Sequence, residues 1–361
     1  MEELSETKQV KDNLQLLELM LQDARSAPSL YKPTGYWAEY EKIFLPELRT
    51  LGLQDFRRRK NSVLSMFGAT DLLPISESLS YLPQWDRISR RIKIIRSFLK
   101  LSVKTRLFGK LIRYLSSTYF GMRLEDVRLL LYEFAKCYGE KNGAKPLVEL
   151  KASTVGNPED VFSINRNTYT TSILNYYIQY AYCCKYMNFD FINAMLEIGS
   201  GSGKQIEVIR KLHPHLCFYI FDLPLQLYVC EQYLSALFPD SVVSYAQTRT
   251  MKSIPEPDQG KIFFFGNWKL PELTNLKYDL FWNSAGFQEI EPEIVLNYLK
   301  YVNLQTKNYI FLNAVMEGKG ILTTLEHYKN GFVNFHLKDL SRAVRLPITR
   351  SNYSFSFWIR K

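Results

Sequence analysis

The stretch that most restricts how this chain can fold is Leu196-Glu197-Ile198-Gly199-Ser200-Gly201-Ser202-Gly203. The apolar run Ala194–Ile198 enters it, and Gln205–Leu212 leaves it with apolar residues at helical spacing. A short apolar run bounded by glycines reads as a buried strand, so the segment is expected to be a strand, a glycine turn and a helix. Glycines in such a turn reach positive φ and let the main chain approach a ligand closely. The helix behind them opens with N–H groups that have no partner inside the helix.

The same alternation continues downstream. Cys217–Phe221, Lys261–Phe265, Asp279–Trp282, Tyr309–Val315 and Ser354–Ile359 are further short apolar runs, with helical patterns at Leu225–Leu237 and Pro292–Val302. Strands alternating with helices predict an α/β fold, a parallel sheet covered by helices on both faces. Val242–Tyr245 fits either an extra strand or an irregular segment.

Three ligand classes share the strand, glycine turn and helix, and spacing separates them. A Walker phosphate loop has four residues between its glycines and ends Gly-Lys-Ser/Thr. Here Gly199 and Gly203 enclose three residues, and Gln205 stands where the magnesium-binding hydroxyl belongs. A dinucleotide fingerprint reads Gly-x-Gly-x-x-Gly. Gly203 comes one residue too early for it, and Glu197, two before the first glycine, is not part of it. S-adenosylmethionine has no pyrophosphate but carries a sulfonium, an α-amino group and a carboxylate. Glu197 suits its cationic methionine end, and Gly199, Ser200, Gly201 and Gly203 leave room for the ribose and amino-acid portions.

Asp222 ends the next expected strand, about 20 residues beyond the turn, the distance at which an acid reaches a ribose diol. Leu223-Pro224 follows, and Pro suits a first helical turn, so Asp222 also fits a plain helix cap. A cap alone does not explain the distance from the glycines. At the end of a third strand, Asn283, Ser284, Gln288 and Glu289 are expected at the carboxyl edge, where open α/β sheets bind ligands. Glu289 equally suits a helix start.

At these residues the chain resembles the sugar O-methyltransferase family, within the Rossmann-like S-adenosylmethionine-dependent methyltransferases. The class-level motif is Leu196 to Gly203 with Phe221-Asp222-Leu223-Pro224. The family-level resemblance rests on Tyr36-Trp37 through Asn61 with Phe56-Arg57-Arg58, on Val155-Gly156-Asn157-Pro158 with Ile173-Leu174-Asn175-Tyr176-Tyr177, and on Asn283 to Glu289. The resemblance implies transfer of a methyl group to a hydroxyl of a sugar, one bound for a surface polysaccharide or glycoconjugate.

Such a transfer needs reactants aligned and a group to receive the hydroxyl proton. Glu289 is the first candidate base and His327 the second, on a loop after the strand ending at Val315. Arg166 and Tyr169, together with Gln288, are candidates for binding substrate oxygens. No clustered carboxylates or Cys/His spacing of a metal site is present, so no metal is expected. Five cysteines without CxxC spacing fit buried thiols in a reducing compartment.

Ahead of the α/β part, residues 1–145 read as a helical domain, with helical patterns at Val10–Arg25 and Gly121–Tyr138. Residues 146–190 read as a connecting segment carrying a Tyr-rich helix from Thr170 to Tyr186, and residues 191–361 as the cofactor-binding domain. The formal net charge of +10 is concentrated between Arg87 and Arg113, a stretch with no acidic residue and many interleaved apolar ones. It reads either as long cationic stems covering apolar surface or as a basic amphipathic face for an anionic membrane surface or nucleic acid. RNA methylation is the competing activity, but Asn283-Ser284-Ala285-Gly286 does not look like the Asn/Asp-Pro-Pro-aromatic turn of many base N-methylating enzymes. A catalytically silent scaffold is a third reading, opposed by the intact Glu197, Gly199, Gly201 and Asp222. Met1-Glu2-Glu3-Leu4 is acidic and polar, unlike a secretory leader, so a cytoplasmic protein, peripheral to the membrane at most, is expected.

Overall fold

The computed structural model describes residues 9–58, 124–254, 256–316, 321–344 and 352–361. The basic stretch Arg87–Arg113 lies outside the described residues. Helix α1, Leu14–Ser26, is capped by Asn13, whose side chain accepts from the Leu16 N–H, and it buries Leu16, Leu17, Met20 and Leu21 on one face. Helix α2, Gly35–Leu51, buries Tyr40, Phe44 and Leu48, four residues apart, and stops at Gly52 with φ of 64°. Helix α3 spans Leu124–Lys141. A hairpin follows, β1 Phe162–Ile164 and β2 Asn167–Tyr169. Its two turn residues, Asn165 and Arg166, both have positive φ, as a two-residue hairpin turn of this kind demands. Helix α4, Thr171–Cys184, is capped by Thr170 and buries most of its length, including Tyr177, Tyr180 and Tyr182.

The α/β part then unrolls as β3 Ala194–Ile198, α5 Lys204–Leu212, β4 Cys217–Asp222, α6 Pro224–Leu237, β5 Val242–Val243, α7 Tyr245–Thr248, β6 Ile262–Gly266, β7 Tyr278–Ser284, α8 Pro292–Gln305, β8 Thr306–Val315, α9 Leu325–Gly331, β9 Phe335–Arg342 and β10 Tyr353–Arg360. The strands form one sheet in the order β5-β6-β4-β3-β7-β8-β10-β9. Pairing is parallel from β5 through β8, whereas β10 runs antiparallel to both of its neighbours. The fold is therefore α/β and Rossmann-like, as expected, with a mainly parallel sheet in which β10 is reversed. Strand order turns around at β3, which pairs with β4 on one side and β7 on the other. That reversal opens a crevice at the carboxyl ends of β3 and β7, the place where such sheets bind ligands.

The two N-terminal helices pack onto this layer, and their buried residues join one continuous apolar core with those of the strands. Asp23 of α1 takes a paired contact from Arg249 and a hydrogen bond from Tyr245. The two distant segments Phe56-Arg57-Arg58 and Val155-Gly156-Asn157 interlock. The Arg57 N–H donates to Gly156 O at 2.9 Å, and its guanidinium donates to Ser153 O, Val155 O and the Tyr233 hydroxyl. Gly156 has φ of 76°, and a Cβ there would lie 2.2 Å from the Phe56 ring, so only glycine fits under that ring. Glu207 of α5 accepts from the Ser153 N–H and the Tyr233 hydroxyl, which carries the same network to the helix behind the glycine turn.

Candidate functional site

The crevice at the strand reversal holds a cavity of about 170 Å³. Four strand ends build its floor. Ile198, Gly199 and Gly201 follow β3, Asp222 and Leu223 end β4, Asn267 follows β6, and Ser284, Ala285 and Gly286 end β7. Glu289, Ile290, Tyr298 and Gln226 complete the far side, and Trp37 of α2 closes the top. Among the described residues that line it there is no Lys, Arg or His.

All three glycines of the turn have positive φ. Their roles differ. Gly199 and Gly201 face the cavity, whereas a Cβ on Gly203 would meet Cys230 Sγ at 2.8 Å and the Leu234 side chain at 2.9 Å. Gly203 thus lets α5 and α6 pack closely. The Ser200 hydroxyl also turns inward, donating to Cys230 Sγ.

Asp222 accepts from the Gly201 N–H at 3.1 Å and from the Leu223 N–H at 2.8 Å, and the Ser200 N–H also acts on its carboxylate. A carboxylate has about four acceptor positions, so Asp222 keeps acceptor capacity for a ligand. Burial pushes its carboxyl up to about 7, against the pull of those N–H groups. Glu197 is 2% exposed, and its Oε2 has no partner. Burial, and then the charge of Asp222, raises its carboxyl well above the usual range. A buried, unpaired acid beside a second acid asks for a cation or a donor to complete it. The charged α-amino end of S-adenosylmethionine is such a group, and the ribose diol would use the free positions on Asp222. Asp222, Gly199 and Gly201 fit that ligand, whereas Glu197 is buried next to Ile198 and does not itself line the cavity.

Asn283 and Ser284 are engaged with protein. Asn283 Nδ2 donates to Ile198 O and its Oδ1 accepts from the Phe287 N–H, so this side chain clamps the ends of β3 and β7 together. Ser284 lines the cavity and accepts from Asn313 Nδ2. Ala285, with φ of 70°, bends the chain over the cavity. Gln288 spends both ends of its amide on neighbours, donating to the Tyr353 hydroxyl and accepting from the Val315 N–H. Glu289 reaches the cavity, and burial pushes its carboxyl up to about 7.

The remaining candidates sit elsewhere. His327 lies in the first turn of α9 rather than on a loop, where its Nδ1 accepts from the Thr324 N–H in a capping box. Arg166 is exposed at the tip of the β1–β2 hairpin. Tyr169 is fully buried against Tyr132 and Phe162. None of these three lines the cavity.

Asn267 is one of the lining residues that sequence reasoning passed over, with Gln226, Ile290 and Tyr298. Its Nδ2 donates to Tyr31 O at 2.9 Å and to the Tyr298 hydroxyl at 2.8 Å, while its buried Oδ1 has no partner. Because Tyr31 O is only an acceptor, the amide orientation is fixed and Oδ1 is the end left free. The signal was a lone polar residue directly after the apolar run Ile262–Phe265 and Gly266, at the same sheet edge as Asp222.

Among the described residues, no group of three or more His, Cys, Asp and Glu gathers as a metal site, and no helix is long and apolar enough to cross a membrane. No protein-family model and no curated protein matches the chain. Several solved structures are similar to part of it. Mitomycin 7-O-methyltransferase is 10% identical, with 48% of this chain and 51% of that one covered and a TM-score of 0.34. Magnesium protoporphyrin IX methyltransferase from Synechocystis PCC 6803, with bound S-adenosylhomocysteine, is 11% identical over 53% of this chain and 84% of that one, TM-score 0.37. Human N-acetylserotonin methyltransferase in complex with S-adenosylmethionine is 13% identical over 69% and 62%, TM-score 0.34. These likenesses are loose, and the fold assignment above rests on the strand order itself.

Proposed function

We propose that the chain is an S-adenosylmethionine-dependent methyltransferase acting on a hydroxyl of a sugar or glycoconjugate precursor. One observation carries the cofactor. The acid ending β4 is tied to the glycine turn after β3, at the reversal of the sheet, with the unpartnered Glu197 beside it. A dinucleotide site also has an acid at the ribose, so Glu197 is the discriminating residue: a second buried acid next to the turn does not suit a pyrophosphate.

In this reading Asp222 accepts from the ribose hydroxyls, Glu197 receives the α-ammonium, and Asn267 Oδ1 accepts from the adenine amino group. Gly199 and Gly201 admit the ligand to the main chain. When bound, S-adenosylmethionine supplies a methyl group on a positively charged sulfur. Glu289 takes the proton from the acceptor hydroxyl. Its elevated carboxyl, about 7, matches that of an efficient base working near neutral pH. The wall of Ile290, Tyr298 and Trp37 limits water around the reacting atoms. The sugar as acceptor rests on the family resemblance of the three segments quoted above.

The test is titration with S-adenosylhomocysteine, followed by transfer of labelled methyl groups to a panel of free sugars, glycosides and RNA. Label on a saccharide hydroxyl supports the proposal. Label on RNA alone replaces it with the RNA reading, and binding without transfer to any acceptor favours the scaffold.

A further inference from the structure

We propose that the N-terminal helix α2 is a wall of the cofactor site, with the Trp37 indole packing on the nucleoside portion of the bound S-adenosylmethionine; this rests on the cofactor reading above. Trp37 is, among the described residues, the one lining residue that comes from outside the α/β part. It borders two adjoining hollows, the main cavity and a small one formed with Pro33, Glu41 and the start of α6. Leu223 and Gln226 are the other residues common to both. Trp37 therefore faces the corner beside Asp222, where the ribose hydroxyls are held, and not only the acceptor mouth.

The indole is a large apolar group that lines the cavity and is only half-buried. A flat ring that lines a cavity offers a surface on which a purine can stack. Its orientation is held from behind. Tyr36 and Tyr40 pack edge-on against it, with ring centroids 5.1 and 5.2 Å away.

The segment leading into α2 is fastened to the start of α8 and to Asn267 after β6. Thr34 donates to Glu291 at 2.6 Å, Asn297 donates to the Tyr31 hydroxyl at 2.7 Å, and Asn267 donates to Tyr31 O. Asn267, itself a lining residue, thus holds the arm with its amide nitrogen and keeps its oxygen without a protein partner. A ligand that touches Trp37 and Asn267 favours the docked arm, and by linkage the docked arm favours the ligand to the same degree.

The experiment is hydrogen exchange on the unaltered chain with and without S-adenosylhomocysteine, together with calorimetric titration of Trp37→Ala and Trp37→Phe. The expected result is slower exchange of the α2 amides around Trp37 on binding, affinity about tenfold weaker for Trp37→Ala, and most of it restored in Trp37→Phe. Equal affinity of wild type and Trp37→Ala overturns the inference, as does unchanged exchange in α2. If Trp37→Ala does not fold, the exchange measurement decides alone. Absence of binding to the unaltered chain refutes the cofactor reading itself, which separates the two failures.

Discussion

The Gly201 N–H donates to Asp222 Oδ2 at 3.1 Å, which joins the turn after β3 to the acid ending β4. Neither residue is positioned alone. The turn orients the carboxylate, and the carboxylate satisfies a main-chain donor that the tight turn leaves over. Asp222→Ala removes the ribose acceptor and strands the main-chain N–H groups that it satisfies. It is expected to weaken S-adenosylhomocysteine by about tenfold to a hundredfold, the size of hydrogen bonds to a charged group, about 1.5–3 kcal/mol. Calorimetry measures it, and an unchanged affinity removes Asp222 from the site.

Asn267 predicts a selectivity. Its free Oδ1 accepts from an amino group but meets the purine oxygen of an inosine analogue unfavourably. Wild type should prefer S-adenosylhomocysteine over S-inosylhomocysteine, and Asn267→Ala should lose most of that preference. Competition binding of the two ligands reads the ratio, and a preference that survives the substitution points to another reader.

Glu289 predicts a pH profile. With its carboxyl at about 7 in the empty protein, methyl transfer should rise with pH up to neutrality and then level off. Glu289→Gln should lower kcat by roughly 10²–10⁴, the contribution of a positioned base, flatten that limb and leave S-adenosylhomocysteine affinity near wild type. A retained limb in the variant assigns it to a different group.

Stability of the ligand-free chain should fall as pH rises. Asp222, Glu231 and Glu289 are each raised to about 7 by burial, so between the ordinary carboxyl range and neutrality the folded state holds protons that the unfolded state has lost. The stabilisation is fully present below about pH 4 for these groups and disappears on approaching 7. Glu231 lies away from the cavity, bonded to Ser244 and the Tyr245 N–H. Glu231→Gln should therefore flatten the slope without touching ligand binding. Thermal unfolding across pH tests this, and a melting temperature that climbs from pH 5 to 7 contradicts it.

Gly203→Ala should destabilise the chain. Its φ of 75° and the 2.8 Å approach to Cys230 Sγ act together, at about 1–2 kcal/mol for the backbone and about 1–3 kcal/mol for overpacking. A clear drop in melting temperature is expected, and an unchanged one shows that α5 and α6 have room to part.

The sheet was legible where strands are continuous apolar runs. Ala194–Ile198, Cys217–Phe221 and Asp279–Trp282 match β3, β4 and β7 closely because both faces of these strands are covered. Strand β9 was not, since its burial alternates and its residues, His336, Lys338, Asp339 and Arg342 among them, read as surface. The reversed direction of β10 has no local signature; it depends on the chain returning between β8 and β9. Helix α9 hid behind an expected loop, and with it the capping contact of His327. The β1–β2 hairpin is three residues a side with Asn165-Arg166 at its turn in place of Asn-Gly, too short and too unusual to recognise. That hairpin buries Tyr169 and exposes Arg166, the two residues proximity in sequence had linked to the site. Asn267 escaped because only strand order puts the end of β6 beside Asp222.

The central claim is that the turn at Gly199–Gly203 and Asp222 hold S-adenosylmethionine. Calorimetric titration of the chain with S-adenosylhomocysteine tests it most directly. The account predicts one equivalent bound at micromolar affinity, with binding sharply weakened in Asp222→Ala. No binding up to millimolar ligand, or equal binding by wild type and Asp222→Ala, contradicts it.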